Sequence, residues 1–281
     1  MSDTFGLEHN AQIEKSGVRK VFTPHAPVKL QELLFGRTEA LKQIIKQIHT
    51  PGAAPILFGD RGVGKTSIAS IVQALINHSI SDQKNTYVGL KRCSSKETIA
   101  SIFEKALKHG GIDISLIEST STQESGGGAG INAGFAKASI GAKRVNTEKH
   151  AAANANLSPS KIAELLSSNF EFGLLIVDET DAIADETVKY ELAEIAKQLS
   201  DSHSTFKIML VGVAELSSTL TAGHPSIGRC AVETKLDRMT DTAIRQIVTA
   251  GALRIKPAMD FDQEVVKHIA QLAGGYLISL T

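Results

Sequence analysis

The chain has 281 residues, with 30 Lys+Arg against 30 Asp+Glu, so its formal net charge is zero. That excludes a protein that coats nucleic acid by bulk charge, while leaving room for a local basic patch. Hydrophobic residues at 42% and charged residues at 21% fit a globular chain with a real core, and a domain size of about 150 residues suggests two compact units.

Cys93 and Cys230 form no CxxC pair. A disulfide framework and a Cys-rich zinc site are therefore disfavoured, and two reduced thiols inside a cell are expected. No run approaches the roughly 18 apolar residues of a membrane helix. Met1 to Asn10 carries Asp3 and Glu8 and has no apolar core of the signal-peptide kind. A cytoplasmic location away from membranes is the expectation.

Residues 1–30 are mixed and polar, with Pro24 and Pro27, and read as an N-terminal arm. Leu41, Ile44, Ile45 and Ile48 fall at helical spacing, so a helix is predicted over 38–49, broken by Pro51-Gly52. Pro55 to Phe58 is a short apolar run, consistent with a buried strand. A Gly-rich turn and a helix over 65–78 follow, then a strand over 86–90 and a helical pattern over 96–109.

Residues 119–157 are rich in Gly, Ala, Ser and Asn, and suit either a long β-hairpin or a flexible loop. Lys137, Lys143, Arg144 and Lys149 give this stretch a small positive excess over Glu124 and Glu148, so it suits a basic hairpin on nucleic acid or a solvated linker. Ser158-Pro159 then starts a helix as N-cap and first helical residue, running to about 168. Gly173 to Val177 and Ile208 to Val213 are further apolar runs, separated by a helix over 186–200. Helices are also predicted over 241–253 and 262–273. Strands that alternate with helices, and that are apolar throughout, indicate an α/β fold whose parallel sheet is covered on both faces.

The strongest chemical signal is Gly59-Asp60-Arg61-Gly62-Val63-Gly64-Lys65-Thr66, which fits G-x-x-x-x-G-K-[ST] between a strand and the helix opening at Ser67. The glycines let backbone N–H groups turn toward phosphates. The helix N-terminus adds positive potential. Lys65 would reach the β- and γ-phosphates, and Thr66 would bind Mg²⁺ through its hydroxyl. The second signal is the apolar run Leu174 to Val177 ending in Asp178-Glu179. Asp178 would hold the Mg²⁺, and Glu179 would polarise the attacking water as general base. Among other chemistries, HExxH and a GxSxG elbow are absent, and Gly223-His224-Pro225-Ser226 has the wrong spacing for the latter.

Together these motifs resemble the AAA+ class of P-loop ATPases, nearest the branch of origin-recognition initiators and transposon-associated ATPase regulators. Leu34-Phe35-Gly36-Arg37-Thr38-Glu39 is similar to that branch's opening F-x-G-R motif. The resemblance implies that Phe35 and Arg37 lie along the adenine side of the nucleotide. Leu210 to Glu215 looks like the strand bearing sensor 1, although Glu215 stands where relatives place Asn, Thr or Asp. Ser226-Ile227-Gly228-Arg229 resembles the segment with the arginine finger, which implies that Arg229 enters a neighbouring subunit's site. Leu236 to Thr240 resembles the junction into a helical lid, with Thr240 as N-cap. Gly274-Gly275-Tyr276 looks like the turn before a third lid helix, but no Arg follows Arg254 to serve as sensor 2. The sequence is then either a fragment or a chain without sensor 2.

The organisation implied is an arm at 1–30, a P-loop NTPase (AAA+) core at 31–237 with an insertion at 119–157, and a partial helical lid at 238–281. The function implied is hydrolysis of Mg-ATP at subunit interfaces of a homo-oligomer, ring or filament, that remodels or regulates a DNA or protein partner. The alternative is a slow nucleotide-dependent signalling switch. A third reading, non-catalytic DNA binding, is disfavoured by the zero net charge.

Overall fold

A computed structural model describes residues 14–15, 35–112, 158–213, 227–255 and 261–276. The insertion at 119–157, most of the N-terminal arm, Glu215 and Ser226 lie outside the described residues.

Five parallel strands form one sheet: β1 (Ala54–Phe58), β2 (Thr86–Arg92), β3 (Phe172–Asp178), β4 (Phe206–Gly212) and β5 (Ala231–Lys235). Their order is β2-β3-β4-β1-β5, so the strand ahead of the Gly-rich turn lies between the strand expected to bear sensor 1 and an edge strand. The helices are α1 (Thr38–His49), α2 (Lys65–Ser79), α3 (Ile99–His109), α4 (Pro159–Asn169), α5 (Glu186–Asp201), α6 (Asp241–Arg254) and α7 (Gln263–Ala273).

The period of two in each strand divides the core into two layers. Ile56, Leu175, Val177, Ile208 and Leu210 pack with α3, α4 and α5 on one face. Leu57, Leu174, Ile176, Met209 and Val211 pack with α1 and α2 on the other. Apolar runs in β3 and β4 are therefore required by burial on both sides, not by sheet propensity alone.

Local caps set the helix starts. Ser158 accepts from the Lys161 amide with Pro159 at the first helical position, and Thr240 accepts from the Ala243 amide. The helical pattern read from residue 96 begins instead at Ile99. Thr98 and Ser101 form a capping box there, and Glu97 pairs with Lys91 at 2.8 Å. β5 is an element that the sequence pattern did not single out; it is a short edge strand, mostly exposed, held in register beside β1.

α6 and α7 build a small separate cluster from Met239, Ala243, Ile244, Ile247, Ala270 and Ala273, against which Phe35 packs. The segment from Leu236 to Thr240 joins this lid to the sheet. The Leu236 amide donates to the Phe58 carbonyl at 2.7 Å, so the strut is stitched to the end of β1. Among the described residues no helix is long and apolar enough to cross a membrane.

Candidate functional site

The sheet is parallel, so the carboxyl ends of β1 and β3 emerge on the same edge. There the turn after β1 meets the acid pair after β3. Crevices at this edge are where open α/β sheets bind ligands.

The turn needs its glycines. Gly62 and Gly64 sit at φ +83° and +98°, a left-handed region that residues with a Cβ avoid. At Gly59 a Cβ would fall 2.3 Å from the Leu236 carbonyl oxygen. Gly64 is the N-cap of α2 and supplies no side chain to cap the first amides of that helix, which lie at the turn. Val63 is buried under the turn and Ser67 is buried at its exit, while Asp60 and Arg61 are exposed.

Lys65 folds back over the turn. Its ammonium donates to the carbonyls of Gly59 at 2.9 Å and Asp60 at 2.8 Å. Burial lowers its pKa, and the charges of Asp181, Asp178 and Asp60 oppose that shift. A half-buried ammonium held by carbonyls has exchangeable partners, and an anion in the turn would be a stronger one.

Asp178 is 1% exposed. Its Oδ1 accepts the Glu179 amide at 2.9 Å, while Oδ2 is buried without a hydrogen bond. Burial pushes the carboxyl above its usual range. Thr66, the Glu179 amide, Arg92 and Lys65 pull it the other way. A buried carboxylate with one oxygen short of a geometric hydrogen bond, and within reach of the Thr66 hydroxyl, suits a hard cation with oxygen ligands such as Mg²⁺. Among the described residues no group of three or more His, Cys, Asp or Glu side chains forms a metal cage. Mg²⁺ carried in with phosphates needs none, because phosphate oxygens and water complete its shell.

Glu179 is exposed and adopts a left-handed backbone, φ 58° and ψ 38°. Both flanks are tied down: its carbonyl accepts from the Ala182 amide at 2.8 Å, and the buried Thr180 hydroxyl donates to the Val211 carbonyl at 2.9 Å. A non-glycine residue in this region costs about 1 kcal/mol or more. The turn separates the two acids, leaving one buried at the strand end and the next exposed at the edge.

Phe35 and Arg37 do different work. Phe35 packs on the lid cluster, and a Cβ at Gly36 would stand 2.9 Å from the Ala243 Cβ. Arg37 is buried, and its Nη2 donates to the Val63 carbonyl at 2.9 Å. The Arg37 guanidinium is lowered by burial and supported by Asp237. The segment therefore braces the Gly-rich turn and the C-terminal helices together.

Arg229 lies elsewhere. It ends a short 3-10 turn, Ile227–Arg229, ahead of β5, at the amino edge of the sheet. Ala54 pairs with Ala231, so β5 spans the strand length between Arg229 and the level of the Gly-rich turn, roughly 20 Å. Its guanidinium faces Asp201 at 3.6 Å, both side chains being exposed. Arg229 cannot reach the site of its own chain.

Two charged neighbours escaped the motif reading. Asp181 stands within electrostatic reach of Lys65, and Arg92 within reach of Asp178. Arg92 is brought there by the pairing of β2 with β3, where it registers opposite Asp178. Only the strand register reveals that. Cys93 follows, its amide donating to the Asp178 carbonyl at 2.9 Å, and burial pushes its thiol up to about 12. It is a packing residue and not a reactive thiolate.

No family model matches the chain, and no curated protein does either. Solved structures do match. The ORC1 protein of Aeropyrum pernix, determined in complex with DNA, superposes with a TM-score of 0.58 at 16% identity, over 93% of this chain and 61% of that one. A Walker-type ATPase of Pyrococcus abyssi gives 0.54 at 18% identity, over 90% of this chain and 67% of that one. The ORC2 protein of Aeropyrum pernix in its ADP form gives 0.54 at 12% identity, over 93% and 64%. The chain thus spans less than two-thirds of the length of either ORC protein. The fold is that of the AAA+ P-loop ATPases, an α/β fold with C-terminal helices, and the likeness to the origin-recognition branch holds at the level of fold.

Proposed function

We propose that this chain binds Mg-ATP in the crevice between the Gly59–Thr66 turn and Asp178-Glu179, and hydrolyses it. The observation that carries the reading is Asp178, buried at the end of β3 with its Oδ2 short of a geometric hydrogen bond, and with Thr66 and Lys65 of the glycine turn favouring its charged form. A carboxylate left in that state costs stability and is explained by a cation that it receives. Mg²⁺, when bound, supplies charge neutralisation across the phosphate oxygens.

The chain's own groups divide the remaining work. The amides of the turn and the start of α2 hold the phosphates. Lys65 exchanges the Gly59 and Asp60 carbonyls for phosphate oxygens. Thr66 and Asp178 orient the cation. Glu179, exposed and fixed by its left-handed turn, takes the proton of the attacking water. Arg229 completes the site of a neighbouring copy, stabilising charge that develops on the transferred phosphoryl group. Phe35 and Arg37 shape the side of the pocket nearest the lid.

The scheme comprises a core at 31–237, a partial lid at 238–281 and a cytoplasmic homo-oligomer acting on DNA or a protein client. Two fold neighbours bear on the ligands: ORC1 was solved with DNA, and ORC2 in an ADP form.

Replacing Glu179 by Gln should leave Mg-ATP binding intact and lower turnover on the order of 100-fold or more. Lys65→Ala should weaken binding itself. Turnover of Glu179→Gln at the wild-type rate would remove Glu179 as the base. A second reading, a slow signalling switch, draws on the self-bonded Lys65, which must leave its own turn before it can serve a nucleotide. It predicts tight ADP retention and a low rate that stays flat as protein concentration rises.

A further inference from the structure

Arg238 occupies a position that the site described above does not use. It lies on the strut between β5 and α6, and it reaches in two directions. Its Nε stands 3.4 Å from Oδ2 of Asp60, in the phosphate turn. Its guanidinium carbon also lies 4.5 Å from the centroid of the Tyr276 ring, at the end of α7. The backbone is locked where these meet. The Met239 amide donates to the Gly275 carbonyl at 2.8 Å, and a Cβ on Gly275 would fall 2.7 Å from the Arg238 Cβ.

The acid it faces is an awkward one. Asp60 lies one residue past Gly59, in a turn that is to receive several negative charges. A carboxylate there repels phosphate, and at short range the repulsion is only partly screened by salt. Lys65 and Lys235 are also in electrostatic reach of Asp60, but the Lys65 ammonium is bonded to the Gly59 and Asp60 carbonyls and that of Lys235 is 2.8 Å from Asp237. Arg238 is the side chain bonded to Asp60, in an exposed pair, and it also stacks on Tyr276, which follows α7 in the chain and packs on the α1–α2 layer of the core.

We propose that Arg238 is a positioning residue for nucleotide binding: it offsets the charge of Asp60 beside the phosphates, and through Tyr276 and Gly275 it makes that compensation depend on where the lid sits. The inference rests on the Mg-ATP reading of the turn. It adds a cation from the strut as a condition for phosphate affinity, and it gives the lid a route to the phosphates that requires no residue beyond Tyr276.

The test is a charge cycle read by calorimetric titration of ADP and ATP, each with Mg²⁺, into the full chain. Arg238→Ala exposes Asp60 to the phosphates and should raise the Kd about 3- to 10-fold. Asp60→Asn removes the repulsion and should lower the Kd about 2- to 5-fold. The double variant should return to within about 2-fold of wild type, and the effect of Arg238→Ala should shrink at high salt. Arg238→Lys, which keeps the charge, should recover most of the affinity.

Three results overturn the proposal. One is an Arg238→Ala variant that binds as tightly as wild type. Another is a double variant as weak as Arg238→Ala alone, which would assign the arginine to hinge packing. The third is an Arg238→Lys variant as weak as Arg238→Ala. Wild-type protein that binds neither nucleotide would instead sink the Mg-ATP reading itself, and the cycle separates that failure from the others.

Discussion

Asp178 concentrates the conflict between stability and function at a single residue. Its burial raises the carboxyl pKa, so the folded chain favours the protonated form more than the unfolded chain does. A carboxyl raised in this way contributes stability below its unfolded pKa and loses it as pH rises through the folded value. At neutral pH the ionised group is therefore a cost in the absence of cation. Asp178→Asn keeps an oxygen for the Glu179 amide and removes the charge. It should stabilise the nucleotide-free chain by about 1–2 kcal/mol, because a buried neutral amide costs less to desolvate than a buried carboxylate. For a chain of this size that is roughly 2–6 °C in Tm. The gain should be present at pH 7 and vanish in acid, where the native Asp is protonated in both states. The same variant should lose Mg²⁺-dependent ATP binding. Thermal melts at two pH values, with and without Mg-ATP, check both halves; a variant less stable than wild type at pH 7 would show that the buried carboxylate is not a burden.

At the scale of elements, legibility followed burial. β1, β3 and β4 were readable because both of their faces are covered, which forces runs such as Leu174 to Val177. Of the two edge strands, β2 is half-buried and was readable over 86–90, whereas β5, with Val232, Glu233 and Lys235 exposed, carries no apolar run. Its place is set by pairing with β1 and by Gln47, whose side-chain amide donates to the Thr234 hydroxyl at 2.9 Å. The Gly59–Thr66 turn and the Asp178-Glu179 pair stand out in sequence because the chemistry proposed for them fixes residue types at fixed spacing. Arg92, Asp181 and Arg238 do not, since each reaches the site through register or through the strut. Phe35 and Arg37 were recognisable as a motif, but their packing on the lid and under Val63 required the fold.

The lid differs from the sheet in how it is held. The cluster of α6 and α7 is small and rich in alanine, and it joins the core through the Leu236–Thr240 strut, the Phe35 contact and Tyr276, which packs on the α1–α2 layer. Units with few buried apolar contacts open locally at lower free energy than the core. Backbone amides of α7 should therefore exchange with deuterium at least about 10-fold faster than those of β3 and β4. Mg-ATP should slow the lid more than the sheet, because the strut touches the phosphate turn. Equal protection in α7 and β3 would mean that lid and core open as one unit.

On the proposed reading, zero net charge takes a definite meaning for the whole molecule: the charges assigned a role are few and lie at opposite ends of one sheet. Lys65, Asp178 and Glu179 occupy the carboxyl edge and Arg229 the amino edge. A residue roughly 20 Å from the site of its own chain can act there only from another copy. Its exposed contact with Asp201 is of the kind worth about 0–1 kcal/mol, which leaves it free to change partners. On the same reading, contact between the two ends of neighbouring copies would be heterologous, and its repetition would give a ring or a filament. Complementation tests this directly. Lys65→Ala has a dead site but an intact Arg229; Arg229→Ala has an intact site but no finger to lend. Each should be nearly inactive alone. In an equal, freely exchanging mixture, a site is complete when an Arg229→Ala subunit receives its neighbour's Arg229 from a Lys65→Ala subunit. Random assembly makes that about one site in four, so the mixture should regain about a quarter of wild-type turnover. The regained activity should rise with total protein concentration, since it requires assembly. A mixture no more active than the sum of its parts, from chains shown to co-assemble, would place hydrolysis within single subunits and leave Arg229 a surface residue.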